Sequence, residues 1–109
     1  MTRTSLGELE EQILLALLHL NGESYAVPIV AKLRELTGRD VSATGAYVVL
    51  RRLEARSLLE SRMMAGPEAR GGRSRRVFAV RDEALPLLRQ SQEALTTLWR
   101  GLGPVLKKS

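Results

Sequence analysis

Residues 65 to 74, Ala-Gly-Pro-Glu-Ala-Arg-Gly-Gly-Arg-Ser, constrain this chain more than any other stretch. Three glycines, one proline and no apolar side chain larger than alanine leave nothing to bury, so the segment cannot join a core and must be an exposed loop. Before it, Leu59, Ser61 and Met63 alternate with Glu60 and Arg62, the pattern of a half-buried strand. After it, residues 77 to 80 supply an apolar return strand. The expected product is a hairpin with Arg70, Arg73, Arg75 and Arg76 around its tip. Its glycines lack the GxxxxGK[ST] spacing of a nucleotide-phosphate loop, and no helix follows directly, so that reading is the weaker one.

A helix leads into this hairpin. Ser42 is a good N-cap for a segment running to Arg56, and steps of about 100° per residue sort its side chains into two faces. Ala43, Ala46, Leu50 and Leu53 fall on one side; Thr44, Gly45, Val48, Arg51, Arg52 and Ala55 fall on the other, with Tyr47 on the flank. The second face suits a DNA major groove better than it suits water. Small residues near the N-terminus let the backbone approach base edges, Val48 matches a thymine methyl, and Arg51 and Arg52 fit guanine or phosphate. The bland alternative is a surface helix with two arginines; an exposed Val48 beside Gly45 favours the groove.

The net charge of +5 is unevenly spread. Residues 1 to 38 balance to −2, residues 39 to 81 to +6 with ten arginines and no lysine, and residues 82 to 109 to +1. A guanidinium is a planar fork that fits phosphates and base edges, so arginine concentrated around one helix and one loop points to nucleic acid rather than to a scattered solvated surface.

Upstream, Ser5-Leu-Gly-Glu8 fits a capping box that opens a first helix. Leu6, Leu9, Ile13, Leu17 and Leu20 form an apolar stripe, and Leu14, Leu15 and Leu18 widen it far beyond an ordinary surface helix. Such a helix is either central in the monomer or meets a partner subunit with its second face. Asn21-Gly22 stops it, and His19 lies in its last turn as a polar residue with no special task. A second helix is expected from Ser24 or Tyr25, with Pro28 in its first turn, Val27, Ile29, Val30, Leu33 and Leu36 buried, and Gly38 ending it. Arg39-Asp-Val41 then reads as an extended link and a candidate small strand against the hairpin.

Asp82 can cap a last helix whose first turn accepts Pro86. From there Leu88, Gln92, Leu95, Trp99, Leu102 and Leu106 recur in alternating steps of four and three, a coiled-coil seam with nothing left in its own chain to cover it. Pairing with a second subunit is the economical answer, although Gly101 and Gly103-Pro104 should bend or fray the end. Trp99 on this seam either fills a dimer core or lines a cleft for a flat apolar effector.

Other classes find little support. A chain of 109 residues has room for one modest core, and the absence of cysteine with a single histidine leaves no thiolate site, no assembled metal centre and no nucleophile–base pair, so neither catalysis nor a cofactor is expected. Glu8, Glu10 and Glu11 precede the first apolar run where a signal peptide needs positive charge, and no run approaches a membrane span, so a soluble cytoplasmic protein is expected. A winged-helix adaptor that binds protein rather than DNA is the rival reading, since fold alone does not fix function. An arginine-rich wing argues against it.

Four segments together resemble the PadR family of transcriptional regulators, in its short subgroup with a single C-terminal helix. They are the first helix from Leu6 with its Glu-Glu-Gln-Ile-Leu-Leu core, Tyr25-Ala-Val-Pro-Ile29, Ser42-Ala-Thr-Gly-Ala-Tyr-Val-Val-Leu-Arg-Arg-Leu53, and Gly71-Gly-Arg-Ser-Arg-Arg-Val-Phe78. The resemblance implies a dimeric winged-helix repressor on a roughly palindromic operator, an interface made by the first and last helices, and release by an effector in some members. It places Tyr47 at the family's recognition-helix tyrosine and Arg73 and Arg76 at basic wing positions. Ser57 stands where the family usually turns with glycine, Phe78 replaces the commoner tyrosine, and Arg81-Asp-Glu-Ala84 lacks the usual opening of the last helix.

The expected fold is mainly α with a small β-hairpin: a winged helix-turn-helix over residues 1 to 81 and a C-terminal dimerisation helix over residues 82 to 109, forming one compact unit. Double-stranded DNA is the expected partner, contacted by Ser42, Thr44, Tyr47, Val48, Arg51, Arg52, Arg70, Arg73, Arg75 and Arg76. A second copy of the chain is expected to meet Leu9, Ile13, Leu14, Leu88, Leu95, Trp99 and Leu102, with Trp99 the residue for a small aromatic or apolar effector.

Overall fold

Three glutamates in the first turn favour the start of helix α1 (Glu8–His19), where the exposed N–H groups and helix dipole attract negative charge. In the computed structural model, which describes residues 5–66 and 74–108, the capping box falls later than Ser5 and Glu8. Gly7 is the cap, and its N–H donates to Glu10 Oε1 at 2.7 Å. A tertiary partner selects that register: Arg56 Nη1 lies 3.1 Å from the same Glu10 oxygen. The helix ends as expected, with Asn21 and Gly22 in left-handed backbone (φ 67° and 87°) and the Gly22 N–H returning to Leu17 O at 2.8 Å.

Strand β1 (Glu23–Ser24), helix α2 (Ala26–Thr37), helix α3 (Ala43–Ala55), strands β2 (Leu59–Met64) and β3 (Arg75–Val80), helix α4 (Ala84–Trp99) and a single turn α5 (Gly103–Leu106) follow in order. The three strands form one antiparallel sheet in the order β1-β3-β2. The short strand completing the hairpin is therefore residues 23–24, not 39–41. Gly22 O accepts from Val80 N at 2.9 Å as the chain leaves α1 and draws the next residues onto β3.

The core is built where α1, α2 and α3 meet one face of the sheet. Ile13, Leu14 and Leu17, Ile29, Leu50 and Leu53, and Leu59 and Phe78 are fully buried. The buried face of α2 is narrower than its apolar content implies: Ile29 and Leu33 are inside, Val30 packs at the margin, and Val27 and Leu36 face outward. In α3 Val49 joins Ala46, Leu50 and Leu53 inside. Ile13 and Leu14, expected at a subunit interface, are instead enclosed by their own chain. The second apolar face of α1 exists, but it consists of Leu15 and Leu18.

Helix α4 gives only Ala84 and Leu88 to this core. Its N-cap is Glu83 rather than Asp82, with no side-chain cap bond. It stops at Trp99, because Gly101 adopts φ 80° and turns the chain into α5, so Leu102 and Leu106 do not continue the seam of Leu88, Leu95 and Trp99 on one helix. The body measures 54 × 33 × 23 Å with a radius of gyration of 16.1 Å. A compact chain of this length would have about 13 Å, so the molecule is elongated.

Ser57, at the turn between α3 and β2, has φ 62°. A side chain there crowds its own carbonyl, and glycine does not. Ser57→Gly is expected to stabilise the protein by about 0.5–1 kcal/mol after the extra freedom of the unfolded glycine is subtracted, seen as a higher urea midpoint with an unchanged slope.

Candidate nucleic-acid interface

Helix α3 is held at both ends and presents one side to solvent. At its start Ser42 Oγ accepts from Gly45 N at 2.9 Å. A Cβ on Gly45 would sit 3.0 Å from that hydroxyl, so the glycine keeps the cap uncrowded as well as the surface small. The turn before it is tied down from several directions. Gly38 is left-handed, Arg39 N–H donates to Thr37 Oγ1 at 3.1 Å, and Arg39 Nη1 reaches Glu8 at 3.2 Å and Gln12 at 2.9 Å across on α1. At the far end Arg56 binds Glu10 and also donates to Ser5 O at 2.9 Å.

On the outward side Thr44, Val48, Arg51 and Arg52 are all exposed, as expected, and Val48 is 52 % exposed. Val48 therefore presents an apolar side chain to solvent between Thr44 and Arg52. Tyr47 lies on the flank, its ring edge-on to the fully buried Phe78 of β3 with centroids 5.9 Å apart. That contact fixes α3 against the sheet.

The two arginines of this face differ. Arg51 is paired with Glu54 at 3.2 Å, one turn along the same helix. The Arg52 guanidinium has no such partner among the described residues. A count of charge treats all the arginines of residues 39 to 81 alike. Of the eight that lie among the described residues, five, Arg39, Arg51, Arg56, Arg62 and Arg81, pair with carboxylates. Much of the charge excess is therefore internal glue.

The hairpin corrects a second expectation. Arg75 and Arg76 belong to β3, not to a loop tip. Arg75 lies over the Tyr25 ring, 4.3 Å from its centroid, where the ring's negative face attracts the cation. Arg76 Nη1 donates to Ser61 Oγ at 3.0 Å and is half-buried. Ser61 in turn donates to Glu54 of α3. Arg70 and Arg73 lie outside the described residues. From the middle of the hairpin ladder Arg62 of β2 reaches across β3 to Glu23 of β1 at 2.5 Å.

Away from this surface, Leu15 and Leu18 of α1 face Leu85, Leu95 and Trp99 of α4 across an open groove of about 810 Å³. Leu88 closes its floor, and Glu11, Arg89, Gln92 and Arg100 border it. Leu9 lies at the margin of the core and Leu102 beyond the end of α4. Among the described residues no group of three or more side chains is placed to hold a metal ion, and no helix is long and apolar enough to cross a membrane.

Three antiparallel strands behind three helices, with a long last helix projecting from the body, define a winged helix-turn-helix with a C-terminal arm. Its arrangement is that of the PadR transcriptional regulators. A PadR-family regulator from Eggerthella lenta superposes with a TM-score of 0.69 over 94 % of this chain and 88 % of its own, at 28 % identity. A PadR-like regulator from Bacillus cereus matches with a TM-score of 0.69, 22 % identity and 90 % of each chain. A PadR-like transcription factor from Bacteroides fragilis matches with a TM-score of 0.69, 22 % identity, and 89 % and 88 % of the two chains. No protein-family model and no curated protein matches the sequence, so the kinship is one of fold.

The Glu23–Arg62 bridge gives the sheet a pH dependence. The hydrogen bond from Arg62, with its charge, holds the Glu23 carboxyl below its ordinary 4.5. A depressed carboxyl contributes stability above its unfolded value and loses it as pH falls through the folded one. Wild type is therefore expected to melt above Glu23→Gln at neutral pH, and the gap should close as pH drops below 4.5.

Proposed function

We propose that this chain is a DNA-binding transcriptional regulator that acts as a homodimer, places the two copies of α3 in successive major grooves and represses from a roughly palindromic operator. The observation carrying this reading is the strip of Thr44, Val48 and Arg52: exposed, small at one end, cationic at the other, and mounted on a helix pinned at both termini. Small residues allow close approach, the valine suits a thymine methyl, and an unpaired guanidinium suits guanine O6 and N7. Half-sites about 34–36 Å apart follow if one dimer spans one helical turn. Arg70 and Arg73, with Arg75, are assigned to flanking phosphates or the minor groove.

The homodimer reading rests on the groove between α1 and α4. Leu15, Leu18, Leu95, Leu98 and Trp99 are all open there or beside it, and a row of large apolar groups of this extent marks an association surface. The same groove supports binding of a flat apolar effector that stacks on Trp99 and alters the spacing of the two α3 helices.

Genomic fragments recovered on the purified protein should share an inverted repeat. On such a fragment Arg52→Ala is expected to weaken binding about 5- to 150-fold and to relax choice at one base pair, the usual worth of a bidentate base contact. Arg73→Ala should weaken all sequences evenly and flatten the salt slope. Failure to enrich any fragment, together with capture of a protein partner through the α3 face, would support an adaptor instead.

Leu95→Glu should convert the dimer to a monomer in sedimentation velocity without loss of helix content. A monomeric wild type would remove the two-fold model. A panel of planar aromatic compounds should quench Trp99 fluorescence, and a flat response across the panel would count against the effector site.

A further inference from the structure

We propose that Glu54 is a positioning residue that withholds Arg51 from DNA phosphates and ties the recognition helix to the wing, so that non-specific grip is kept low and sequence choice falls to Arg52. The inference rests on the DNA-binding reading above.

The geometry is a continuous polar chain across three elements, α3, β2 and β3. Glu54 Oε1 takes Arg51 Nη1 at 3.2 Å, while its other oxygen, Oε2, accepts from Ser61 Oγ on β2. Ser61 Oγ accepts in turn from Arg76 Nη1 on β3 at 3.0 Å. Both carboxylate oxygens of Glu54 are thus occupied, one by each side of the junction, and its side chain is only 28 % exposed. A carboxylate held from two directions is a fixed counter-charge rather than a mobile surface group.

Arg51 is consequently aimed along the helix toward its C-terminus, whereas Arg52 is left to the outer strip with Thr44 and Val48. Two arginines adjacent in sequence receive different tasks. Binding to phosphate gains affinity through counterion release regardless of sequence. An Arg51 free to bind phosphate would raise affinity for every DNA equally and dilute whatever discrimination Arg52 provides. Arg76 is restrained at the other end of the chain: its Nη1 is committed to Ser61, and its buried Nε has no acceptor among the described residues. The carboxylate therefore moderates a cation on the helix and, through Ser61, one on the wing.

The test compares wild type with Glu54→Gln, Glu54→Asp, Arg51→Ala and the Glu54→Gln/Arg51→Ala double variant. Affinity for a fluorescent random-sequence duplex is measured from 50 to 300 mM salt, with far-UV circular dichroism to establish folding. Glu54→Gln should steepen the salt slope by about 0.9 and tighten binding about eightfold at 0.1 M salt, the effect of one additional phosphate contact. Glu54→Asp keeps the charge but loses a methylene of reach, so it should shift in the same direction by a smaller amount. Arg51→Ala should change binding less than twofold in wild type and should abolish the gain in Glu54→Gln.

A double variant that keeps the full gain would overturn the proposal, because removal of a negative charge alone would explain it. Glu54→Asp indistinguishable from wild type would overturn it in the same way and serves if Glu54→Gln does not fold. An Arg51→Ala loss in wild type as large as that of Arg52→Ala would show that Arg51 was never withheld. These outcomes leave the DNA-binding reading standing, whereas wild type that binds no duplex at any salt concentration overturns both.

Discussion

The junction of Glu10 and Arg56 governs how the rest of this structure is set. Glu10 is the one buried charged side chain among the described residues, and the same oxygen that meets Arg56 also accepts the N–H of Gly7. Separating such a pair leaves a charge in a place with little water, at a cost of about 3–5 kcal/mol. Because Arg56 is the C-cap of α3 and Glu10 lies in the first turn of α1, one interaction fixes where α1 begins, where α3 ends and the angle between them. Phe78 then sets the third direction by packing Tyr47 of α3 against the central strand. The exposed strip of α3 inherits its orientation from these two contacts.

Much of this architecture can be read from residue order. The Ser42 cap, the left-handed Gly38 and the Asn21-Gly22 stop each act through local backbone chemistry, and local chemistry survives folding. The sorting of α3 into an inner face of Ala46, Leu50 and Leu53 and an outer face of Thr44, Val48 and Arg52 follows from helical periodicity alone. Ser57 stands out only through the family resemblance, as a serine where the family usually turns with glycine, and its backbone is left-handed.

Long-range pairing is what periodicity misses. The capping box of α1 moved because Glu10 has a partner forty-six positions away. The third strand appeared at Glu23 because Gly22 lies beside Val80, a neighbour with no sequence signature. Ile13 and Leu14 could not be separated from Leu15 and Leu18 as core or surface, since a helix that is apolar all round gives no angle to choose by. The arginines are the plainest case: their number is visible in the sequence, but which are already neutralised depends on carboxylates two to forty-six residues away. A cation count overstates a binding surface whenever the fold uses guanidinium groups as struts.

The order of the strands has one further consequence. With β3 in the centre, the long free edge of the sheet belongs to β2, and that strand carries Glu60 and Arg62 among its residues, with Arg62 already drawn across the sheet to Glu23. The opposite edge, β1, is two residues long. A neighbouring chain that tried to extend the sheet would meet a stub on one side and buried-charge penalties on the other, the two common ways in which proteins discourage aggregation through strand addition. Self-association by backbone pairing is therefore disfavoured at both edges of the sheet, which leaves side-chain contact as the route by which any two copies could meet.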